Sequence, residues 1–495
     1  MMKKIITKIM IIVLFTASLI ACSDDYFDVN TPSGTVQSDQ LGMSDLLAPV
    51  IHSTMEGQRS AELTFGNYVQ NFVIQDGGAA GQTTASGLWS QVYLYVLPNL
   101  KVIKEKSVEL GAIHYGAVAD ILKAINIGIA TDTWDNIPYS DATNGPDNNF
   151  PAFDTQESIY NEIIALLDGA IGALESSDNS GFSLGREDLI YGGDFNKWLR
   201  AAYTLKARYQ LHLTKVNGSS AATAALASIA NGFIDNGDDF KMFYDEKNIN
   251  PWYSVEILAR NTGNSHNDIC KQLVSSMNGD YFPFESDELN IDPRLPRFAE
   301  NDGSDDWKGF VSGISNGLSP DGTPANTYFA EGGYYTSIDS PLMLISYAEA
   351  MFIKAEAAFL ANGGTTTSIG STGDAYMAYM EGIQASMNMY GVDGSAYVAD
   401  GSVAVGEVGL MLNHIMKEKY IHNFLNPETF VDYRRYDFSD EVFIGLEIRE
   451  GGEDDSDYAG QWFRRAEYPS TELNRNSENV LANQKTPVTP VWWDQ

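Results

Sequence analysis

The chain has 495 residues, of which 44% are hydrophobic and 12% aromatic, with a formal net charge of −35. That composition belongs to a packed globular protein and excludes a disordered one, and the length suffices for one large domain or two to three ordinary ones. The acidic excess makes nucleic acid and anionic lipid headgroups poor partners.

The chain opens MMKKIITKIMIIVLFTASLIACSDD. Lys3, Lys4 and Lys8 form a basic region, and Ile9 to Ile20 an apolar stretch too short to span roughly 30 Å of hydrocarbon. Leu19-Ile20-Ala21-Cys22 resembles a bacterial lipoprotein signal, in which the peptide is cut before the cysteine and the thiol is acylated. The expectation is a signal peptide over 1–21, lipidation at Cys22, a polar tether over 22–38 and a single domain over 39–495. Loss of the three lysines takes the net charge from −35 to −38. Cys270 is the one other cysteine, so the fold stands on its core without disulfides, and Cys270 is expected as a small buried apolar residue. No later segment approaches 18 uninterrupted apolar residues, so no integral membrane domain is expected.

Helical periodicity dominates the rest. Ile159, Ile163, Leu166, Ala170 and Ala173 recur at helical steps, as do Trp198, Ala202, Leu205, Tyr209 and His212. The same holds for Ile345, Ala348, Phe352, Ala355 and Phe359, and for Tyr376, Met380, Ile383, Met387 and Tyr390. Stretches around 40–57, 89–107, 112–132 and 408–425 read likewise. The helices come in pairs with short polar or glycine-rich links. Small residues at the crossings and Tyr or Phe at the ridges resemble divergent tetratricopeptide repeats; a generic helical bundle is the alternative.

Between about 237 and 340 the pattern breaks into Gly, Asn, Asp, Ser and Pro, yet the stretch carries fifteen aromatics, among them Trp252, Tyr253, Tyr281, Trp307, Tyr334 and Tyr335. Disordered segments lack aromatics, so this reads as an ordered, loop-built lobe on the helical scaffold. A second irregular stretch, about 436–495, ends in Val491-Trp492-Trp493-Asp494, which reads as a docked terminal segment.

Catalytic signatures are scarce. The six histidines form no His-x-x-x-His pair, and neither HExxH nor CxxC occurs. No cofactor is expected; calcium is left open at Asp235–Asp239 and Asp302–Asp306, clusters that read first as solvated turns. Gly313-Ile314-Ser315-Asn316-Gly317 matches the GxSxG pattern but has loop on both sides, where a nucleophile elbow needs a strand before and a helix after. Glycosidase carboxylate pairs meet only in space and have no sequence signature among 66 acidic residues. The aromatic loops are the better candidate: Tyr and Trp offer a flat apolar face and one polar tip, which suits sugar rings or peptide side chains in a partly wet groove.

Several stretches, in order and nearly end to end, resemble the SusD/RagB family of outer-membrane nutrient-binding lipoproteins of the Bacteroidota. They are Cys22-Ser23-Asp24-Asp25-Tyr26 with Asp28 to Pro32; Trp89 to Lys101; Thr131 to Tyr139, with Trp134 where the family has glycine; Asp292-Pro293-Arg294-Leu295; Tyr347-Ala348-Glu349-Ala350 with Lys354-Ala355-Glu356-Ala357; and Lys417-Glu418-Lys419-Tyr420 followed by Glu428 to Arg435. The resemblance implies a mainly α fold of tetratricopeptide-like pairs in a right-handed superhelical scaffold with a loop-rich aromatic insertion. It implies no enzymatic activity, capture of oligosaccharides or peptides, and a SusC-like TonB-dependent β-barrel transporter as partner. Ligand contacts are expected from loops at about 67–89 and 250–335. Within these, Trp252, Tyr253, Trp307, Tyr334 and Tyr335 are expected as stacking surfaces, and Asn67, Gln75, Asp76 and Arg260 as hydrogen-bonding groups. The competing readings are a surface-anchored glycosidase or peptidase, and a tetratricopeptide adaptor that binds only protein.

Overall fold

The computed structural model describes Met2 and residues 41–78, 81–145, 148–304, 306–314, 316–319, 321–448 and 457–495. The signal, the Cys22 lipidation site and the tether lie outside the described residues. By internal contacts the chain forms two units, residues 1–42 and 43–495, and the second holds all of the architecture below.

Ten helices carry the scaffold: α1 Met43–Tyr68, α2 Leu97–Leu110, α3 Ile113–Trp134, α4 Gln156–Leu174, α5 Phe195–His212, α6 Ser219–Ile229, α7 Tyr347–Ala361, α8 Gly373–Tyr390, α9 Leu412–His422 and α10 Glu428–Arg435. From α2 to α8 each helix packs on the next, α6 meeting α7 across the long lobe. This is the tetratricopeptide-like array. Its crossings use the expected device of a small residue receiving a ring. A Cβ at Gly382 of α8 would sit 2.7 Å from the Phe352 ring of α7, and one at Gly128 of α3 would sit 2.3 Å from the Tyr209 hydroxyl of α5. Side-chain oxygens of Thr155, Asp194, Ser346 and Thr372 accept backbone N–H groups at the starts of α4, α5, α7 and α8, each worth about 1 kcal/mol.

The buried faces of α5 and α7 are those the periodicity names. In α4 the buried set is Ile159, Ile163, Leu167, Ala170, Ile171 and Leu174, so Leu166 and Ala173 are only half-buried. The drift arises because a 3.6-residue turn does not keep a strict four-then-three step. Helix α6 escapes periodicity because Ser-Ser-Ala-Ala-Thr-Ala-Ala-Leu-Ala-Ser-Ile offers almost no large side chains to mark a face.

Among the described residues, eight short strands pair into four two-stranded ladders: β1 (Phe72–Ile74) with β5 (Asn267–Ile269), β2 (Ile137–Pro138) with β3 (Phe153–Asp154), β4 (Phe240–Met242) with β8 (Leu342–Ile345), and β6 (Ala299–Glu300) with β7 (Tyr328–Phe329). All are antiparallel. The β1–β5 and β4–β8 ladders fasten the lobe to the scaffold, since β1 follows α1 and β8 leads into α7.

The stretches that carried the family resemblance form buried ion-pair clusters between helices. Arg294 donates to Asp292 at 2.6 Å and to Glu418 of α9 at 2.6 Å. Arg208 of α5 holds Glu349 of α7 with two bonds of 2.7 and 2.8 Å, and His212 reaches Glu428 of α10 at 2.7 Å. Arg435 pairs with Glu356 and Asp432 at 2.6 Å each, and Lys419 joins Asp432 at 2.9 Å. Burial pushes Glu418 and Glu428 up, yet the cations beside them outweigh it and hold both down at about 2. Burial disfavours a charged His212 as well, but Glu428 and Asp132 overcome it and raise its pKa. The cavity beside this cluster, lined by Asp132, Arg208 and His212, is only about 30 Å³, room for one water and no ligand.

The terminal segment docks as expected. The Trp493 indole donates to Asp132 at 2.7 Å, and Asp494 accepts from Arg464 at 2.6 Å and Lys215 at 3.0 Å. Asp135, at φ 75°, turns the chain after Trp134, and its carboxylate accepts from the backbone N–H of Trp492 at 2.9 Å. Trp134 is buried edge-on against Trp89, 5.0 Å between centroids, so the residue that departs from the family pattern serves the core.

Candidate ligand face

The face grows out of the β1–β5 ladder. The register sets Phe72 opposite Ile269 and Ile74 opposite Asn267. Phe72 and Val73 are buried, whereas Ile74, at the strand end, is 41% exposed and opens the surface. The chain then reverses through Gln75, Asp76 and Gly77. Asp76 sits at φ 63° and Gly77 at φ 95°. A Cβ on Gly77 would lie 2.4 Å from the Ile314 carbonyl oxygen, so glycine is required on both counts.

A second loop, 311–325, locks onto this turn. Gly313 N–H donates to the Gly77 carbonyl at 2.9 Å and Gly317 N–H to the Asp76 carbonyl at 3.0 Å. The Asp76 N–H donates to the Asp268 carboxylate at 2.9 Å. The two glycines of the GxSxG pattern thus join two loops; both have positive φ, 88° and 67°. Beneath lie Val73, Cys270, Phe310 and Ala325, with the half-buried Tyr328 against them. Burial pushes the Cys270 thiol up to about 12, which makes it the inert apolar residue expected.

At its far end the 311–325 loop supplies Ser319 and Asp321 to a groove of about 310 Å³. Trp307 and Tyr281 line it with Lys271, Asn278, Asp280, Asp306 and Lys308. Both rings are half-buried, so each keeps surface for a ligand. The groove is built on close backbone packing: a Cβ on Gly309 would sit 2.6 Å from Lys271. Its lining carries two lysines, Lys271 and Lys308, against three aspartates, Asp280, Asp306 and Asp321. Lys308 reaches Asp321 at 2.9 Å and Asp306 at 3.1 Å, and Lys271 faces Glu447 at 3.7 Å.

Of the expected residues, Trp307 lines the groove, and Gln75 and Asp76 lie exposed on the turn clamped to its loop. Tyr253 is half-buried on a π-helical segment, Tyr253–Leu258. Arg260 donates to Glu300 at 2.7 Å and to the Phe329 carbonyl at 2.9 Å, which fixes it between β6 and β7. Asn67 is buried, and its amide reaches the Gly78 carbonyl at 3.5 Å, so it supports the turn from below.

Two expected stacking surfaces are corrected. Trp252 is 1% exposed and packs edge-on against Phe72 at 6.1 Å, a core position under the face. Tyr335 is 5% exposed, with its hydroxyl 2.9 Å from that of Tyr390. Tyr334 is half-buried and packs edge-on against Tyr335 and Tyr390, 5.0 and 4.9 Å between centroids, in the aromatic core under α8. Both tyrosines end where the lobe needs apolar mass to join the scaffold. The groove partners missed from sequence are Lys271, Asn278 and Tyr281. Tyr281 stood among the aromatics of the irregular stretch, while a lone lysine and asparagine carry no pattern.

The acidic clusters are turns. Asp238 grips Arg200 with two 2.6 Å bonds, Asp239 accepts from Lys241 and the Tyr347 N–H, and Asp302 accepts from Ser304 and Asn326. Glu256, which burial pushes up to about 7, spends both oxygens on Asn267 at 2.7 and 2.8 Å.

A SusD-like family model, described as starch-binding and associating with the outer membrane, matches residues 35–469. Among solved structures, the chain resembles a chitin-binding SusD homolog from Flavobacterium johnsoniae, at TM-score 0.72 and 22% identity, covering 92% of this chain and 98% of that one. A SusD/RagB family protein from Bacteroides thetaiotaomicron superposes at TM-score 0.69 with 22% identity, covering 92% and 99%. A SusD homolog from Bacteroides uniformis gives 0.69 with 21% identity and the same coverage. No curated protein matches.

Proposed function

Because the chain belongs to the SusD-like family of starch-binding proteins that associate with the outer membrane, we propose that it is a surface-anchored, non-catalytic binder of neutral oligosaccharides that delivers them to a SusC-like TonB-dependent β-barrel. The observation that carries this reading is the Trp307–Tyr281 groove, with two part-exposed rings and a rim of amide, carboxylate and ammonium groups. Rings supply a flat apolar platform for pyranose faces, and the polar rim meets hydroxyl groups. The three aspartates against two lysines in the groove and the strong negative charge of the whole chain both disfavour an anionic ligand, as a neutral glycan requires. The anchor is Cys22, acylated after removal of residues 1–21, and the tether over 22–38 leaves room for the binder to move over its barrel.

A binder without turnover is supported by the chemistry of the face. The GxSxG glycines are spent on joining two loops, and the buried Glu256 is spent on Asn267. Calorimetric titration with starch-, chitin- and plant-derived oligosaccharides and with peptides, alongside a reducing-end assay, tests the proposal. Binding of a neutral glycan with no release of reducing ends is expected. Preferential binding of peptides, or steady release of reducing ends, contradicts it.

A further inference from the structure

A second groove lies away from this face, where the helix entry before α2 meets the carboxy-terminal helices. Its volume is about 810 Å³, within the range of ligand sites. Trp89, Tyr93 and Leu94 form one wall, Asn148, Phe150 and Pro151 the second, and Thr471, Glu472 and Arg475 the third.

Three features mark it as more than a crease. The first wall rides on a π-helical segment, Gln91–Val96, a rare conformation frequently found at functional sites. Leu94 on this segment, 61% exposed, and Phe150, 66% exposed, give the groove an open apolar rim. Second, the Phe150 loop is held in place. The Phe150 N–H donates to the Asn148 side chain at 3.1 Å, Asn479 donates to the Phe150 and Pro151 carbonyls at 3.3 and 3.1 Å, and Asn476 to Pro151 at 2.9 Å. A groove pinned in this way costs little ordering when a ligand enters. Third, Arg475 borders the groove as an exposed side chain with no side-chain hydrogen bond or ion pair among the described residues, so its guanidinium is free to donate. Glu472 and Asn148 add acceptors and donors beside it.

We infer that this groove is a second saccharide site, in which sugar rings lie on Phe150 and Tyr93 while Arg475, Asn148 and Glu472 bond their hydroxyls. The inference rests on the carbohydrate-binding reading above, but its third wall, Thr471 to Arg475, lies beyond residue 469, where the family match ends. The other two walls, Trp89 to Leu94 and Asn148 to Pro151, fall inside that match. Two sites on one molecule would hold a long glycan at two places and raise its effective affinity by linkage.

The test is fluorine NMR of the full protein carrying 5-fluorotryptophan, with the Trp89 and Trp307 signals assigned by Trp→Phe variants and chitohexaose and maltoheptaose as probes. The Trp89 signal is expected to shift on titration both in the wild type and in Trp307→Ala, and Phe150→Ala is expected to weaken that titration about tenfold. Phe150 is exposed, so this variant folds; near-ultraviolet circular dichroism checks it. If Trp307 responds while Trp89 stays still, or if the Trp89 shift vanishes with Trp307→Ala, the second site is overturned and the first stands. Silence of both signals overturns both.

Discussion

Trp252 and Trp307 stand in the same irregular stretch, and composition alone treats them alike. The structure separates them: Trp252 fills the space against Phe72, while Trp307 borders a groove with Tyr281. Their alanine variants therefore fail differently. Trp252→Ala is expected to cost about 3–5 kcal/mol of unfolding free energy, whereas Trp307→Ala leaves stability nearly unchanged and weakens glycan binding about tenfold. Denaturant titration and calorimetry on both variants separate the two effects. Glu62 gives a second test at this scale. It is fully buried in α1, bonded at one oxygen to Asn71 at 3.2 Å, and burial pushes it up to about 8 from 4.5. An acid whose folded pKa is raised keeps its proton after the unfolded chain has lost it. Its contribution is complete below about pH 4.5 and declines up to pH 8, by about 1.4 kcal/mol per pH unit. Glu62→Gln is expected to remove that slope, read as the difference in stability between variant and wild type at pH 5, 6 and 7. A constant difference across this range contradicts the assignment.

At the level of elements, the helices were legible because large side chains mark a face. Trp198, Leu205 and Tyr209 announce α5, as Phe352 and Phe359 announce α7, while α6 stayed hidden behind alanines. The ligand face was legible only as a region. Its stretches of chain, around residues 75, 271–281 and 307–321, meet through backbone bonds such as Gly317 to Asp76, and backbone bonds leave no trace in side-chain pattern. Glycine was the one available signal. Gly313 and Gly317 looked like a serine-hydrolase motif and are instead the joints between two loops. Gly77→Ala tests that joint. The new methyl would meet the Ile314 carbonyl at φ 95°, a strain of about 1–3 kcal/mol. The variant is expected to lose glycan affinity together with a modest part of its stability, while far-ultraviolet circular dichroism shows the helical array intact. Unchanged affinity would remove the turn from the site.

Across the whole molecule, the family motifs and the ligand face are separate. The motifs build charged clusters that cross-link α5, α7, α9, α10 and the lobe, and they report fold in place of specificity. Arg294 is the clearest case, since its loss leaves Asp292 and Glu418 buried without their cation. Arg294→Ala is expected to destabilise the protein by about 3–5 kcal/mol in chemical unfolding. The proposed ligand groove, by contrast, is built from residues that no motif contains, which is why the sequence announced the family plainly and the site faintly. That division predicts a stable, acidic scaffold that presents aromatic grooves outward and performs no chemistry. One measurement bears on this most directly: calorimetric titration of oligosaccharides into the wild type and into the Trp307→Ala, Tyr281→Ala double variant, with reducing ends assayed in the same samples. Saturable binding of a neutral glycan, weakened tenfold or more in the variant and without new reducing ends, is the predicted result. Equal binding by both proteins, or accumulating reducing ends, would contradict it.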